Sequence, residues 1–256
     1  MYSPADFTLK GQVAIVTGAG AGIGRAIAET FAAAGAAVVV SDLQQSTAET
    51  VVQAITRAGG RAVSIPCDVT QEQNLETLVQ ESVKHFGKLT ILVSNAGGGG
   101  GPKPFDMPMA DFRRAFDLNV FSLFRLAQLA APEIEKAGGG AILAITSMSA
   151  ENKNKRMAAY ASSKAATSHL VRNIAFDLGG KAIRVNGIAP GATRTAALES
   201  VLNPEIEARM LSHTPIRRLG EPQDMANAAL FLCSPASAWI SGQILTVSGG
   251  GAQELD

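Results

Sequence analysis

Seven short apolar runs alternate with longer helical patterns along the chain, and this alternation limits the fold more than any other feature. Continuous runs rich in β-branched residues are typical of strands that are buried on both faces. Strands that alternate with helices favour a parallel sheet with a helix layer on each side. The runs cover 13–16, 37–40, 62–65, 91–93, 141–145, 183–188 and 244–247.

The helical patterns fit between these runs and predict a doubly wound α/β fold. In one of them Phe112, Phe116 and Val120 recur at steps of four, as on one face of a helix. Residues 192–216 have no clear periodicity, so we expect a mobile loop there. No repeat or charged linker interrupts the pattern, which predicts a single domain over residues 1–256. Helices are predicted near 22–34, 46–58, 71–86, 108–135, 157–178 and 222–233.

The charge and cysteine content exclude several classes of partner. The 22 Lys and Arg residues balance the 22 Asp and Glu residues, so nothing favours a nucleic acid or an anionic membrane. Two widely spaced cysteines and an amino terminus without an apolar run indicate a cytoplasmic protein without disulfides. The three histidines, His85, His169 and His213, lack metal-ligand spacing, so no metal site is predicted.

A glycine-rich segment links the first predicted strand to the first helix. Gly18, Gly22 and Gly24 allow backbone N–H groups to approach a phosphate at a helix N-terminus. Their spacing departs from the usual GxGxxG, and a tight turn without a ligand is the alternative. Asp42 ends the next strand, where a carboxylate accepts hydrogen bonds from the ribose diol of NAD and repels the 2′-phosphate of NADP. Arg25 is the nearby cation that would favour NADP, although a solvated helix residue is the simpler interpretation.

A second signal is the segment YASSK, which separates Tyr160 from Lys164 by one helical turn. Side chains at i and i+4 share a helix face, so the ammonium is expected near the phenol. A cation at that distance lowers a tyrosine pKa and allows proton exchange near neutral pH. Ser147 follows the fifth strand, at the edge where open parallel sheets bind ligands. The alternative is a surface Tyr–Lys pair that has no chemical role.

Taken together, these residues resemble the short-chain dehydrogenase/reductase family over about residues 8–250. The resemblance implies a Rossmann-type fold with seven parallel strands, a cofactor half at about 8–135, a catalytic and substrate half at about 136–256, and a homotetramer. The matching segments are TGAGAGIG at 17–24, Asp68-Val69, Asn95-Ala96-Gly97, Asn119, Ser147, Tyr160-xxx-Lys164 and Pro190-Gly191.

The resemblance also implies four catalytic residues. Tyr160 would be the general acid/base, and Lys164 would bind the nicotinamide ribose and lower the pKa of the tyrosine. Ser147 would hold the reacting oxygen. Asn119 would hold a water molecule that relays the proton through Lys164; from its sequence context alone it could equally be a helix-packing residue.

Further residues are implied to hold the cofactor. Asp68 would contact the adenine beside Val69, although it could instead cap the following helix. Asn95 would line the cofactor cleft, and Thr193 and Thr195 would approach the nicotinamide amide or the pyrophosphate. The cofactor-binding set is completed by Gly18, Gly22, Ile23, Gly24, Asp42, Tyr160 and Lys164.

Longer segments, such as SMSAENKNKRMAAYASSKAA, resemble the bacterial hydroxysteroid dehydrogenases of this family. The implied reaction is NAD-dependent oxidation of the 7α-hydroxyl of a bile acid, with Asn152 touching the steroid beside Ser147 and Tyr160. One rival is a 3-oxoacyl-thioester reductase, which would favour NADPH. The other is a non-catalytic cofactor-sensing protein, which would be expected to lack Tyr160 or Lys164.

Overall fold

The computed structural model describes residues 4–98, 103–152 and 155–251, and its centre is one sheet of seven parallel strands. All seven apolar runs found in the sequence are strands, and each observed strand extends at most a few residues beyond its run. The strands are β1 (Val13–Thr17), β2 (Ala37–Asp42), β3 (Arg61–Pro66), β4 (Ile91–Ser94), β5 (Gly140–Ile145), β6 (Ile183–Pro190) and β7 (Ile244–Val247).

The helices follow the predicted pattern with two differences. One is a π-helical turn, Asp117–Phe121, that divides the predicted helix 108–135. The other is a pair of helices, α7 and α8, inside the segment predicted as a loop. The helices are α1 (Gly22–Ala33), α2 (Gln45–Arg57), α3 (Glu72–Phe86), α4 (Met109–Phe116), α5 (Ser122–Lys136), α6 (Ala158–Leu178), α7 (Ala196–Glu199), α8 (Pro204–Ser212) and α9 (Pro222–Cys233).

The loop prediction for 192–216 was wrong because both helices are short and start from local caps. The Thr195 side chain accepts a hydrogen bond from the backbone of Leu198, and Asn203 does the same for Ile206. Pro204 then occupies the first turn of α8, where its missing N–H costs nothing. Helices of four and nine residues give too few turns for a periodic apolar pattern.

The sheet separates two hydrophobic cores, as strands buried on both faces require. On β1, Ala14 and Val16 face the core that contains α1, α2 and α9. Ile15 faces the opposite core, which contains α3, α5 and α6. The alternation continues through the central strands, so the family fold expected from the sequence is confirmed.

The strand order is β3-β2-β1-β4-β5-β6-β7, so the winding direction reverses between β1 and β4. The loops that leave the carboxyl ends of these two strands diverge there and open a crevice, which is the usual ligand position in such sheets. The segment 95–98 leaves β4 on one side of this crevice, and the glycine-rich segment leaves β1 on the other.

Both cysteines are buried thiols without a disulfide partner. Burial raises the pKa of Cys67 and of Cys233 to about 12, so neither is a reactive thiolate. Among the described residues, no helix is both long and apolar enough to span a bilayer.

Candidate active site

The glycine-rich turn between β1 and α1 depends on glycine at the predicted positions. Gly18 and Gly22 have φ values of +61° and +54°, which side chains rarely adopt. A Cβ atom on Gly18 would lie 2.9 Å from the Cα of Ala96. A Cβ on Gly24 would collide with the carbonyl oxygen of Gly18. The glycine-rich turn therefore places backbone without side chains at the edge of the crevice, together with the N-terminus of α1. Ile23 lies in the first turn of this helix.

Asn95 and Thr17 tie the two sides of the crevice together. The Asn95 amide nitrogen donates to the carbonyl oxygens of Thr17 at 2.9 Å and Gly18 at 3.0 Å. In return the Thr17 hydroxyl accepts from the backbone of Asn95 at 3.1 Å and of Ala96 at 3.0 Å. Asn95 thus lines the cleft as predicted. Thr17 opens the TGAGAGIG segment, but nothing in the sequence indicated that its hydroxyl joins these two loops.

Asp42 lies at the carboxyl end of β2, beside the glycine-rich turn. Its carboxylate accepts hydrogen bonds from the backbone N–H of Gly20 at 2.9 Å and of Gln44 at 3.1 Å. Arg25 instead pairs with Glu29 across one turn of α1, at 2.8 Å, and both side chains are exposed. The guanidinium of Arg25, which could have favoured a 2′-phosphate, is therefore paired with Glu29. This supports the simpler interpretation of Arg25 as a solvated helix residue.

A cavity of about 240 Å³ lies beside Asp42 at the carboxyl ends of the strands. Val69 is buried at its wall. Asp68 also lines it, while one of its carboxylate oxygens accepts from the backbone and hydroxyl of Thr70 at 3.0 and 2.7 Å. The alternative role of Asp68 as a helix cap is not seen, because the N-cap residue of α3 is Gln71, and no side-chain hydrogen bond caps this helix. The walls of the cavity include Gly18, Asp42, Asp68, Val69 and Asn95.

Two threonines of the loop after β6 lie near the same region in different ways. The methyl group of Thr195 is the nearest neighbour of a Cβ built on Gly22, at 3.4 Å, so this residue borders the glycine-rich turn. Thr193 is buried, and its hydroxyl donates to the carbonyl of Gly191 at 3.0 Å. Thr195 is thus well placed to reach a ligand, whereas the Thr193 hydroxyl is already bonded within its own loop.

These features fit a dinucleotide. The glycine-rich turn leaves space that a Cβ would fill, and the N-terminus of α1 favours a pyrophosphate. The carboxylate at Asp42 suits a ribose diol, and the cavity beside it has a buried valine against which a flat base can pack.

Ser147 and Tyr160 meet beyond the carboxyl end of β5. The Ser147 hydroxyl accepts from the backbone of Ser149 at 3.1 Å and is hydrogen-bonded to the phenol of Tyr160. Burial raises the pKa of the Tyr160 phenol, and the bond to Ser147 opposes this rise. The lowering expected from Lys164 is not present in this structure: burial of the phenol has the larger effect on the pKa, and the opposing effect comes from the bond to Ser147.

Lys164 lies on the same face of α6 as Tyr160, as the spacing predicted. Its Nζ is 6.0 Å from the centre of the Tyr160 ring and donates to the carbonyl oxygen of Ile145 at 2.8 Å. The side chain is only 5% exposed. Burial lowers the pKa of the ammonium to about 8, and no carboxylate among the described residues contributes to the shift.

Asn119 lies in the π-helical turn and faces the same space as Lys164. A Cβ built on Gly97 would lie 2.8 Å from the Asn119 Oδ1 and 3.0 Å from the Lys164 Nζ. Glycine at position 97 therefore lets both groups approach the crevice. The predicted catalytic set, Asn119, Ser147, Tyr160 and Lys164, is brought together.

Asn152 lies just after the 3₁₀ turn that follows Ser147 and is half-buried. Its backbone N–H donates to the carbonyl of Met148 at 3.2 Å. Asn152 is therefore near Ser147 along the chain. Residues 153 and 154, which follow it, lie outside the described residues. In the glycine run at 97–101, residues 99–101 also lie outside them.

Comparison with known proteins agrees with this geometry. A short-chain dehydrogenase family model described as enoyl-(acyl carrier protein) reductase matches residues 18–251. A solved short-chain type dehydrogenase/reductase from Mycobacterium marinum is 35% identical, with a TM-score of 0.90 over 95% of this chain and 96% of that one. The chain belongs to the short-chain dehydrogenase/reductase family.

Within this family, one group of relatives is much more similar. The 7α-hydroxysteroid dehydrogenase of Escherichia coli K12 is 67% identical over the full length of both chains. A solved 7α-hydroxysteroid dehydrogenase complexed with NADH and 7-oxo glycochenodeoxycholic acid is also 67% identical, with a TM-score of 0.98 and full coverage of both chains. An uncharacterised oxidoreductase of Mycobacterium tuberculosis is 40% identical, over 95% of this chain and 93% of its own.

The contact between Gly24 and Gly18 predicts that Gly24→Ala disrupts the glycine-rich turn. The collision is with backbone, which cannot move aside, so we expect a loss of about 1–3 kcal/mol in stability and at least about tenfold weaker NAD binding. Gly180→Ala is the control, since a Cβ there would meet nothing within 4 Å. Calorimetric titration with NAD checks both variants, and equal affinities would contradict the predicted role of the turn.

The buried ammonium predicts that Lys164→Met stabilises the protein at pH 7. A pKa lowered from 10.5 to about 8 corresponds to roughly 3 kcal/mol, offset by about 1 kcal/mol for the lost hydrogen bond to Ile145. The net gain of about 2 kcal/mol should raise Tm by roughly 4 °C.

This gain should depend on pH with a defined sign. Between pH values of about 8 and 10.5 the unfolded chain binds the proton that the native lysine has lost, so the wild type gains stability as pH rises. The advantage of Lys164→Met should therefore shrink across this window. Thermal melts at several pH values test this, with Lys88→Met as an exposed control, and a variant less stable than wild type at pH 7 would contradict it.

Proposed function

We propose that this chain is an NAD-dependent 7α-hydroxysteroid dehydrogenase, which reversibly oxidises the 7α-hydroxyl of a bile acid to the 7-ketone. The observation that carries this function is the full-length 67% identity to the Escherichia coli enzyme and to the solved enzyme that holds NADH and a 7-oxo bile acid. The hydrogen-bonded Ser147 and Tyr160, with Lys164 beside them, supply the groups that such a reaction needs.

In this reaction Tyr160 is the general base. Ser147 holds the substrate hydroxyl by a hydrogen bond, and the Tyr160 phenolate takes its proton while the carbinol C–H bond breaks. NAD, when bound, would supply the acceptor for the hydride that leaves this carbon. The proton then leaves Tyr160 towards solvent through a water molecule held at Asn119 and Lys164, and ketone reduction follows the reverse path.

A raised phenol pKa in the cofactor-free protein is compatible with this role. Tyr160 is then neutral at pH 7, which suits it to donate a proton during ketone reduction. For alcohol oxidation the phenolate must form, and the Lys164 ammonium favours it. Oxidised NAD adds a further positive charge to the site, so cofactor binding is expected to lower the pKa of Tyr160.

The proposed contacts with the cofactor are assigned from the positions of the residues along the cleft. Gly18, Gly22, Ile23 and Gly24 would bind the pyrophosphate at the start of α1, and Asp42 would bind the ribose diol. Lys164 would bind the other ribose. The adenine would lie against Asp68 and Val69, Asn95 would line the cleft, and Thr193 and Thr195 would approach the pyrophosphate or nicotinamide.

The substrate is expected to bind on the side of the catalytic half. Asn152 would touch the steroid, and the segment with α7 and α8 would close over it as a lid. This division assigns the cofactor to about 8–135 and the substrate to about 136–256.

Self-assembly into a homotetramer and a cytoplasmic location are part of the proposal. Large aromatic side chains on the surface support an assembly, since Phe121 is 58%, Phe176 92% and Trp239 99% exposed in the single chain. Isolated chains seldom leave several such side chains in water without a partner.

A second candidate is a 3-oxoacyl-thioester reductase. The description of the family model, enoyl-(acyl carrier protein) reductase, shares with it an acyl thioester substrate but names the reduction of a carbon–carbon double bond. A 3-oxoacyl-thioester reductase would use NADPH, and the Asp42 carboxylate opposes the extra phosphate. A cofactor-sensing protein is less well supported, because the complete catalytic set would have no role in it.

Turnover of two bile acids by the purified protein tests the proposal. With NAD, cholate should produce NADH, whereas deoxycholate should not, because it lacks the 7-hydroxyl. Tyr160→Phe should lower kcat by at least about 10²-fold while NAD binding remains nearly unchanged. Equal rates on both bile acids, or NADPH-dependent reduction of 3-oxoacyl thioesters instead, would refute the proposed substrate; normal turnover by Tyr160→Phe would refute the acid/base assignment.

Cofactor preference tests the role of Asp42. Asp42→Asn keeps the shape of the side chain but removes the charge that repels a 2′-phosphate, so kcat/KM for NADP should rise about tenfold or more relative to NAD. Arg25→Ala is the control and should leave the preference unchanged, because its guanidinium pairs with Glu29. If Asp42→Asn prefers NAD over NADP as strongly as the wild type does, the Asp42 carboxylate does not select between the ribose diol and a 2′-phosphate.

A further inference from the structure

Asn119, in the π-helical turn, has its side chain held by three hydrogen bonds. Its Oδ1 accepts from the backbone of Gly98 at 3.0 Å. Its Nδ2 donates to the carbonyl of Gly98 at 2.7 Å and to the hydroxyl of Ser163 at 2.9 Å. Both amide hydrogens and one lone pair are thus used, so the side chain has a single favourable orientation.

Ser163 links the side chain of Asn119 to α6, the helix that contains Tyr160 and Lys164. Its hydroxyl accepts from Asn119 and donates to the carbonyl of Tyr160 at 2.8 Å. Ser163 is fully buried and directly precedes Lys164 in α6. Its hydroxyl therefore connects the π-helical turn with the turn of α6 between Tyr160 and Lys164.

Thr167 makes a second connection, to the backbone of the same residue. Its hydroxyl lies 3.0 Å from the carbonyl oxygen of Asn119 and 2.9 Å from that of Ser163. A hydroxyl carries one proton, so it can serve only one of these acceptors well at any moment.

We propose that Ser163 and Thr167 are positioning residues that fix the π-helical turn at Asn119 against Lys164 and so set the rate of proton release from the site. This inference rests on the proposed function. It assigns to two hydroxyls, on the buried face of α6, a role beyond helix packing. They act through Asn119 and Lys164, and neither hydroxyl needs to touch the substrate.

The geometry predicts which kinetic step changes when a hydroxyl is lost. Asn119 and Lys164 face the same narrow space at Gly97, so a shift of the turn changes their separation directly. Lys164 is the proposed cofactor contact next to these hydroxyls, and its own hydrogen bond, to Ile145, does not involve them. The glycine-rich turn, Asp42 and the cavity beside Asp42 lie elsewhere along the crevice. Loss of either hydroxyl should therefore slow proton transfer and leave NAD binding nearly unchanged.

A purely structural role makes a different prediction. A threonine in a helix often bonds to the carbonyl four residues earlier, as Thr167 does to Ser163, and that bond alone has no link to proton transfer. In that case Thr167→Val would lower thermal stability without altering the response of kcat to solvent deuterium.

Thr167→Val and Thr167→Ser separate the two roles, because the first removes the hydroxyl with little change in volume and the second retains it. Ser163→Ala tests the other connection. Ser162→Ala, at the neighbouring exposed position, is the matched control. For each variant kcat, the KM for NAD and the solvent deuterium isotope effect on kcat are measured with cholate, and thermal melts confirm folding.

We expect kcat to fall about tenfold in Thr167→Val and Ser163→Ala, a fraction of the full contribution of acid–base catalysis. The isotope effect should increase, and the KM for NAD should change less than about twofold. Thr167→Ser should recover most of the rate, and Ser162→Ala should match wild type. If Thr167→Val does not fold, Ser163→Ala alone decides the result.

Two results would overturn the inference while leaving the proposed function intact. One is wild-type kcat and isotope effect in both Thr167→Val and Ser163→Ala. The other is a raised KM for NAD with unchanged kcat, which would indicate a role in shaping the cofactor cleft. Failure of the wild type itself to oxidise cholate would instead refute the proposed function.

Discussion

The constraint on which the site depends is a buried lysine ammonium that has no carboxylate partner among the described residues. Lys164 is 5% exposed, and its hydrogen bond goes to the backbone carbonyl of Ile145. Burial lowers its pKa to about 8, so keeping it charged near neutral pH costs stability. Such a cost is typical of functional sites, where a charge is held ready for a ligand or a proton.

The fold explains how the ammonium is held there. Its hydrogen-bond acceptor belongs to β5, and the crevice in front of it opens because the winding direction reverses between β1 and β4. Thr17 and Asn95 fix the loops that leave these two strands against each other. The π-helical turn then brings Asn119 to the other side of Gly97. Lys164 and Asn119 are therefore held by a strand end, a helix and the loop segment that Asn95 fixes to β1.

The sequence predicted the sheet and the shared helix face of Tyr160 and Lys164, because apolar runs and i, i+4 spacing are local properties. It did not predict the π-helical turn, since one inserted residue barely alters an apolar stripe. It also missed the hydroxyls of Thr17, Ser163 and Thr167, whose partners lie more than 40 residues away along the chain. The predicted direction of the Tyr160 pKa shift was wrong for a related reason: burial, which depends on the whole fold, raises the pKa of the phenol more than the hydrogen bond to Ser147 lowers it.

Titration of the Tyr160 phenol, followed by NMR of ¹³C-labelled tyrosine, tests the central claim most directly. The chain has only two tyrosines, so Tyr2→Phe leaves the Tyr160 signal alone. We expect a pKa above the ordinary value in the free protein, a fall when NAD binds, and a higher pKa in the NAD complex of Lys164→Met than in that of the wild type, because the variant lacks the ammonium. A phenol whose pKa stays raised in the NAD complex, or is the same in the NAD complexes of Lys164→Met and the wild type, would contradict the proposed role of the ammonium.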